Sequence, residues 1–258
     1  MKTEKTFSRI LAIYLFVAVA MVPLSAQCQE NEAQSILKTM SDYIGSQEAI
    51  ELTFNSDIEI ITPQLEKIQF TSSGTAVLSR PNKLFAHRIS AHADVKLFFD
   101  GKTISVYENM ENGYVQIDAP DSIDQLVREM REGEGIAMPA ADLLLTNAYD
   151  VLVADTMEAK YIGRGVIDGR ECEHLAFRNF DTDWQLWVQA GDTPIPCKMV
   201  ITSKTLNSAP QYTMHVKSWK SVATPEHDIF IFTPPDGAEE LNHDALIRFD
   251  ELPLDIAE

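Results

Sequence analysis

The stretch from Cys172 to Lys204 concentrates residue types that bind metals. Cys172 and His174 are separated by one residue, and a second cysteine, Cys197, follows later in the same stretch. Structural zinc sites normally combine two paired ligand clusters, such as C-x-x-C with H-x-x-x-H. No second pair of that kind accompanies Cys172, and the other histidines are scattered along the chain. The spacing therefore favours a strand, and we predict no metal site.

Acidic side chains offer a second kind of chemistry, because two neighbouring carboxylates can act as general acid and base. Asp168, Asp181 and Asp183 lie in or near this stretch. The catalytic motifs G-x-S-x-G, H-E-x-x-H, G-x-G-x-x-G and the Walker loop do not occur in the sequence. With 39 acidic residues in the chain, loop and solubility roles explain these aspartates better. We predict a protein without enzymatic activity and keep an unrecognised hydrolase, built on Asp181 and Asp183, as an alternative.

The N-terminus has the three parts of a secretory signal peptide. A basic start is followed by an apolar run at residues 10–24 and then by Ser25 and Ala26. The run is shorter than the roughly 20 residues that cross a bilayer. We therefore predict a signal peptide at residues 1–26 and export to the periplasm, with an uncleaved anchor as the alternative. Acylation of Cys28 is not expected, because Gln27 precedes it and Ser25 lies where a lipoprotein signal has leucine.

The charge of the exported chain limits its partners. The whole chain has 21 basic and 39 acidic residues, and residues 1–26 hold three of the bases and one of the acids. The remainder has 18 bases and 38 acids, a formal charge of −20. Such a surface repels nucleic-acid backbones and anionic headgroups. It does not oppose apolar ligands, whose burial depends on area.

The spacing of apolar residues predicts the elements that carry these groups. A helical stripe at residues 32–45 gives way to the alternation typical of half-buried strands. Tight turns such as Asp100-Gly101 separate the strands, and a helical insert follows residue 119. Its apolar stripe comprises Ile123, Leu126, Val127 and Met130. We predict an α+β fold, mainly antiparallel β, with about ten strands and three helices. Residues 27–240 would form a single monomeric domain, and residues 241–258 an acidic C-terminal tail.

Cys172 and Cys197 are candidates for a disulfide, because oxidising compartments favour cysteine pairing. A simple meander places their strands two apart, or about 9.5 Å, which is beyond the reach of a disulfide. A bulge, a folded strand end or another pairing order would bring the two thiols together. The sequence leaves both outcomes open.

Five segments carry a resemblance to a known family: C-E-H-L-A-F-R, D-W-Q-L-W-V, P-I-P-C-K-M-V-I-T, P-Q-Y-T and F-I-F-T-P-P-D-G-A. They resemble predicted periplasmic bacterial proteins known only as a domain of unknown function. The resemblance is most specific from Asp168 to Ala238. That family is similar in architecture to LolA-like outer-membrane lipoprotein carriers and their mycobacterial lipid-binding relatives. The resemblance implies an antiparallel half-barrel wrapped around helices, with an apolar cavity for acyl chains.

This resemblance implies a periplasmic, non-enzymatic protein that binds a lipid or an acylated, lipoprotein-like ligand without a cofactor. Leu126 and Met130 of the helical insert would act as a movable plug. Alternating strand faces supply the other candidate cavity residues: Phe54, Leu97, Phe99, Leu175, Phe177, Trp184, Leu186, Tyr212 and Met214. The alternative is an envelope protein-interaction or stress-sensing domain, since LolA-like domains also occur in those roles.

Overall fold

The computed structural model describes residues 24–132 and 139–249 of the chain. The signal peptide predicted at residues 1–26 lies almost entirely outside this part, as does the side chain of Cys28, and both assignments remain predictions. Within the described ranges, no helix combines the length and the apolar character that a membrane crossing requires.

The described residues form α-helices, 3₁₀ helices and strands. The helices are α1 (Leu24–Gly45), α2 (Ile123–Glu132) and α3 (Ala148–Val153), with 3₁₀ helices at Ala141–Leu144, His227–Phe230 and His243–Phe249. The strands are β1 (Ala49–Ile61), β2 (Lys67–Ser79), β3 (Lys83–Ser90), β4 (Asp94–Phe99), β5 (Thr103–Glu108), β6 (Gly113–Asp118), β7 (Glu158–Ile167), β8 (Arg170–Arg178), β9 (Thr182–Gln189), β10 (Pro196–Ser203), β11 (Gln211–Ser221) and β12 (Glu239–Glu240).

All the described strands belong to one open sheet, in the order β12-β6-β5-β4-β3-β2-β1-β11-β10-β9-β8-β7. Two meanders, β1 to β6 and β7 to β11, are joined by antiparallel pairing of β1 with β11. The predicted α+β, mainly antiparallel fold is confirmed. The described residues form twelve strands where about ten were expected. One reason is that β12 is a two-residue strand that pairs in parallel with β6 and has no alternation to reveal it.

The helical insert has to cross the sheet. It connects β6, near one edge, to β7, at the opposite edge. Its helices therefore pass over one face of the sheet, which we call the inner face, and the other side is the outer face. Core residues of α1 and α2 form one continuous apolar cluster with inner-face residues of both meanders. This arrangement places helices over the sheet from edge to edge.

The helix stripes explain how α1 and α2 are held. Ala33, Leu37, Met40 and Ile44 recur at helical spacing in α1 and are completely buried. In α2, the predicted stripe of Ile123, Leu126, Val127 and Met130 is confirmed, since each of these side chains is at most 4% exposed. The Ser122 hydroxyl accepts a hydrogen bond from the Gln125 N–H at 3.2 Å and so caps the start of α2.

The outer face is partly covered by the chain that follows β11. Phe230 is buried, and Phe232 lies against three aromatic rings of the sheet. Its ring centroid is 5.3 Å from that of Phe98, 5.8 Å from Tyr107 and 5.2 Å from Tyr114. The outer-face aromatic residues of β4 to β6 are therefore covered by Phe232.

The described C-terminal residues differ from the predicted acidic tail. Ala245, Leu246 and Phe249 are buried in the apolar core, and the Arg88 guanidinium donates a hydrogen bond to the Phe249 carbonyl at 3.2 Å. The packed region therefore continues beyond residue 240, where the sequence placed its end. The prediction of a tail was based on the acidic composition of this segment. It did not take account of Ala245, Leu246 and Phe249, which pack into the core from a short helix.

A candidate apolar ligand-binding cavity

A cavity of about 190 Å³ lies between the inner face and the helical insert. Its walls are almost entirely apolar. The sheet contributes Leu52, Phe54, Ala76, Leu84, Ala86, Arg88, Pro196, Tyr212, Met214, Val216 and Trp219. The insert contributes Ile123, Val127, Pro139, Ala140, Ala141, Leu143 and Leu144.

Small residues in β2 and β3 explain why this part of the inner face is not filled. Ala76 and Ala86 are register partners on adjacent strands and both line the cavity. Gly74, on the same face of β2, lies beneath the Phe54 ring, which an added Cβ would overlap. Because protein interiors are otherwise closely packed, these small side chains leave space that the helices opposite do not occupy.

Few polar groups reach the cavity walls. The indole Nε1 of Trp219 is buried and has no hydrogen-bond partner among the described residues. A buried tryptophan N–H is normally satisfied, because an unpaired donor retains its desolvation cost. Arg88, which also lines the cavity, is held by the Phe249 carbonyl. The wall therefore combines extensive apolar surface with the unpaired indole N–H of Trp219.

Arg80 holds in place the part of the helical insert that lines the cavity, which we call the helical wall. Its Nη2 donates to the Leu144 carbonyl at 2.8 Å and to the Ile44 carbonyl at 3.4 Å, and its Nε donates to the Gln47 carbonyl at 3.1 Å. Burial lowers the pKa of Arg80, and the nearby Asp124 charge opposes this effect, but a guanidinium remains charged in proteins. One cation thus joins the end of α1 to the 3₁₀ helix that lines the cavity.

Residues 33–242 match the family described as "Predicted periplasmic protein (DUF2092)". The chain belongs to the DUF2092 family. This membership confirms both the resemblance noted from the sequence and the predicted periplasmic location. Among curated proteins, none matches this DUF2092 chain.

Several solved structures are similar to this DUF2092 chain over about three quarters of its length. LprF from Mycobacterium bovis has a TM-score of 0.47 and 13% identity, over 77% of this chain and 98% of LprF. The MucA/MucB complex of Pseudomonas aeruginosa has a TM-score of 0.43 and 14% identity, over 78% of this chain and 61% of the matched one. A LolA superfamily protein from Nitrosomonas europaea has a TM-score of 0.35 and 13% identity, over 76% and 96%. None of these likenesses assigns a ligand or a partner.

The structure of the DUF2092 chain separates the predicted cavity residues into two groups. Phe54, Tyr212 and Met214 line the cavity. The others do not: Leu97, Phe99, Leu126, Met130, Leu175, Phe177, Trp184 and Leu186 are buried in the surrounding core. Phe177 and Trp184 stack on each other, with ring centroids 3.9 Å apart.

Sequence reasoning missed most of the cavity lining, including Arg88 and Trp219. The helical insert contributes Ile123, Val127 and the 3₁₀ segment Ala141–Leu144, whereas Leu126 and Met130 were expected to form a movable plug. A usable signal was present: alanine and glycine occupy inner-face positions of β2 and β3, where large residues are the norm. Small side chains on the inner face of these two strands therefore indicate where the cavity lies.

Asp181 and Asp183 do not form an acid–base pair in the DUF2092 fold. The Oδ1 atom of Asp183 lies 3.1 Å from Arg178 Nε and 3.1 Å from Lys204 Nζ. Burial alone would raise the pKa of Asp183, but the hydrogen bonds from these two cations outweigh it and the pKa is lowered. Asp181 is exposed and uses its backbone carbonyl to accept the Lys204 N–H. The arrangement is that of a surface ion-pair network.

We predict that Asp183→Asn slightly weakens the fold at neutral pH and removes part of its acid sensitivity. The ion pairs stabilise the fold above the ordinary aspartate pKa of 3.8, and this contribution is lost as the pH falls through the lowered native value. Because the side chain is 35% exposed, solvent screening limits the effect to less than about 1 kcal/mol. Urea denaturation between pH 2 and 7 measures it. An unchanged pH profile would contradict the assigned pairing.

His174 is held by stacking and a neutral hydrogen bond. Its ring stacks on Trp187 with a centroid distance of 4.0 Å, and its Nε2 lies 2.9 Å from Gln185 Oε1. Burial lowers the pKa of His174 despite the Gln185 hydrogen bond.

No cluster of three or more His, Cys, Asp or Glu side chains suited to a metal occurs in the part of the chain that the structure describes.

Cys172 and Cys197 are the two buried cysteines of the described residues, and both are free thiols with no exposed surface. They lie on β8 and β10, separated by β9 as the sequence predicted. A register shift between Pro196 and Lys198 nevertheless makes Cys197 the extra residue of a bulge in β10.

Proposed function

We propose that this protein binds the acyl chain of a lipid or an acylated protein in the apolar cavity. The observation that carries the proposal is the unfilled space between the inner face and the helical insert. Burial of an acyl chain there would gain about 0.8 kcal/mol for each methylene removed from water. A strongly acidic surface does not counteract this gain, because the ligand is bound through its apolar part.

The cavity volume indicates that the helical insert must move for a long chain to enter. At about 190 Å³, the space is somewhat larger than the ~150 Å³ apolar cavity that admits benzene. It is smaller than the roughly 300–1,000 Å³ of ordinary ligand pockets. Displacement of Ala141–Leu144 and α2 from the sheet would enlarge it. The structure thus corresponds to a closed state in this proposal.

The direct test is native mass spectrometry of protein purified from the periplasm, followed by lipid extraction and displacement of a fluorescent fatty-acid probe. We expect a co-purifying lipid or saturable probe binding that an unlabelled fatty acid reverses. Absence of both would overturn the proposal.

Trp219 specifies the polar part of the ligand in this proposal. Its unpaired indole N–H would donate to a carbonyl or carboxylate oxygen at the end of the acyl chain. Such a hydrogen bond, formed to a buried donor that otherwise has no partner, contributes about 0.5–1.5 kcal/mol to binding. The ligand class is therefore an acyl chain with a hydrogen-bond acceptor.

We predict that Trp219→Phe weakens binding of acetophenone about fivefold more than binding of ethylbenzene. The two probes have the same size and differ by one carbonyl, so their comparison isolates the hydrogen bond. Phenylalanine keeps an aromatic wall but has no N–H. Titration calorimetry on both proteins supplies the four affinities. Equal weakening of the two probes would assign Trp219 a purely apolar role.

One observation favours the alternative of an envelope protein partner. Met157, Phe180 and Leu206 are 67%, 86% and 57% exposed. Their loops meet at one end of the sheet, where Met157 N–H bonds the Arg178 carbonyl at 2.8 Å and Lys204 N–H bonds the Asp181 carbonyl at 2.9 Å. Photo-crosslinking in the periplasm, from a photoreactive residue in place of Leu206, tests this alternative. Capture of one protein that Phe180→Ser abolishes, without any bound lipid, would favour it over the carrier.

A further inference from the structure

We propose that Cys172 and Cys197 form a structural disulfide in the exported protein. The inference does not depend on a bound ligand. It rests on the placement of the two side chains and on the oxidising compartment in which this family is located.

Strand register shows how two strands separated by a third bring their cysteines together. Cys172 pairs with Gln189 on β9, while β10 pairs with β9 through Pro196 opposite Val188 and Lys198 opposite Trp187. Cys197 therefore has no register partner on β9. A bulge bends its strand and redirects the extra side chain. A regular meander would keep the sulfur atoms too far apart.

The thiols of Cys172 and Cys197 are neighbours in this structure. Burial raises the pKa of Cys197 to about 12, and the interaction of its S–H with the Cys172 sulfur acts in the same direction. Both side chains have no exposed surface. Each thiol also points toward a local backbone carbonyl, that of Arg170 for Cys172 at 3.5 Å and that of Ile195 for Cys197 at 4.0 Å. The bulge at Cys197 therefore brings two buried thiols into one neighbourhood, where they can be cross-linked.

The bond must form before β8, β9 and β10 close, because the attacking species is a thiolate. In the unfolded chain a cysteine has an ordinary pKa of about 8.5. One cysteine thiolate attacks a disulfide of an exchange partner, such as oxidised glutathione or a protein disulfide, and displaces one thiol. The second cysteine thiolate then attacks the mixed disulfide and displaces the other thiol. Two cysteines lose two protons and two electrons, and the partner disulfide is reduced to two thiols.

The cross-link would join β8 to β10 across β9 and close a loop of about 25 residues. In the chain-entropy description, a loop of that size lowers the unfolding equilibrium constant about 350-fold. Burial would also protect the bond from reductants while the protein remains folded. The half of the sheet formed by β7 to β11 would gain most from it.

Non-reducing peptide mapping of the protein purified from the periplasm tests the inference. We expect a peptide that joins Cys172 to Cys197, and no labelling of these cysteines by N-ethylmaleimide in denaturant until a reductant is added. Denaturation of the oxidised protein should shift to lower urea when a reductant is present. The double variant Cys172→Ala/Cys197→Ala, which serves as the control, should show no such shift.

Labelling of both thiols in the unreduced, denatured protein would overturn the inference. So would a linkage of either cysteine to Cys28 in place of the pair. Refolding the reduced protein in a glutathione redox buffer supplies the oxidant in excess, so that the outcome depends only on the two cysteines. Failure to form the disulfide under these conditions would also overturn the inference.

Discussion

An Ala86→Phe substitution should reduce binding of the fluorescent fatty-acid probe by at least about 100-fold while the protein remains folded. Ala86 lies on β3, pairs with Ala76 on β2 and Leu97 on β4, and lines the cavity. A phenyl ring at this position would occupy much of the roughly 190 Å³. An acyl chain excluded from that space loses the burial of several methylenes, each worth about 0.8 kcal/mol.

Ala176→Phe is the matched control for this substitution. Ala176 lies on β8, between Lys160 and Gln185, and does not line the apolar cavity. Aromatic residues are favourable in strands, so both variants should retain the circular dichroism of the parent protein. Probe titration gives the affinities. If Ala86→Phe bound normally, or if both variants lost binding equally, the probe would occupy some other surface and the proposed site would be wrong.

Arg80→Met should lower the free energy of unfolding by about 2–4 kcal/mol. The substitution removes the donors to the Ile44, Gln47 and Leu144 carbonyls. One hydrogen bond from a charged group is worth about 1.5–3 kcal/mol, and the three bonds of Arg80 contribute less than their sum because two share Nη2 and all are only partly buried. Methionine preserves most of the apolar length of the arginine side chain. The loss is therefore one of hydrogen bonding, and urea denaturation measures it.

The same variant should change how ligand enters. With Leu144 released, Ala141–Leu144 can separate from the end of α1, so association of the fluorescent probe should become faster. Arg178→Met provides the control, because Arg178 is 54% exposed and pairs with Glu158 and Asp183 at the surface. Exposed pairs contribute less than about 1 kcal/mol. Similar losses of stability in both variants, with unchanged association rates, would show that Arg80 does not restrain the helical wall.

The local pattern of the sequence was sufficient for the class of fold. Alternating apolar residues predicted strands, and Asp100-Gly101 and Asp168-Gly169 predicted tight turns. The structure gives Gly101 and Gly169 positive φ angles of 96° and 78°, which glycine adopts without strain. These features depend on residues close together in the chain.

The candidate site was less accessible to sequence reasoning. Phe99 and Leu186 follow the same alternation as Phe54 and Met214, yet the first two are fully buried in the core and the last two face open space. Alternation identifies the face of a strand on which a side chain lies. It does not identify what lies opposite, and for Phe54 that depends on Gly74 beneath it and on the helical insert above.

The sequence by itself determined the antiparallel strands, the amphipathic helices and the strongly acidic charge, because each follows from composition or from periods of two to four residues. Tertiary structure decided the pairing of β1 with β11, the passage of the insert over the inner face, the bulge that carries Cys197 and the position of the cavity. These depend on contacts between residues far apart in the chain. Empty space has no sequence signature of its own, because it is set by the side chains that several distant segments fail to supply.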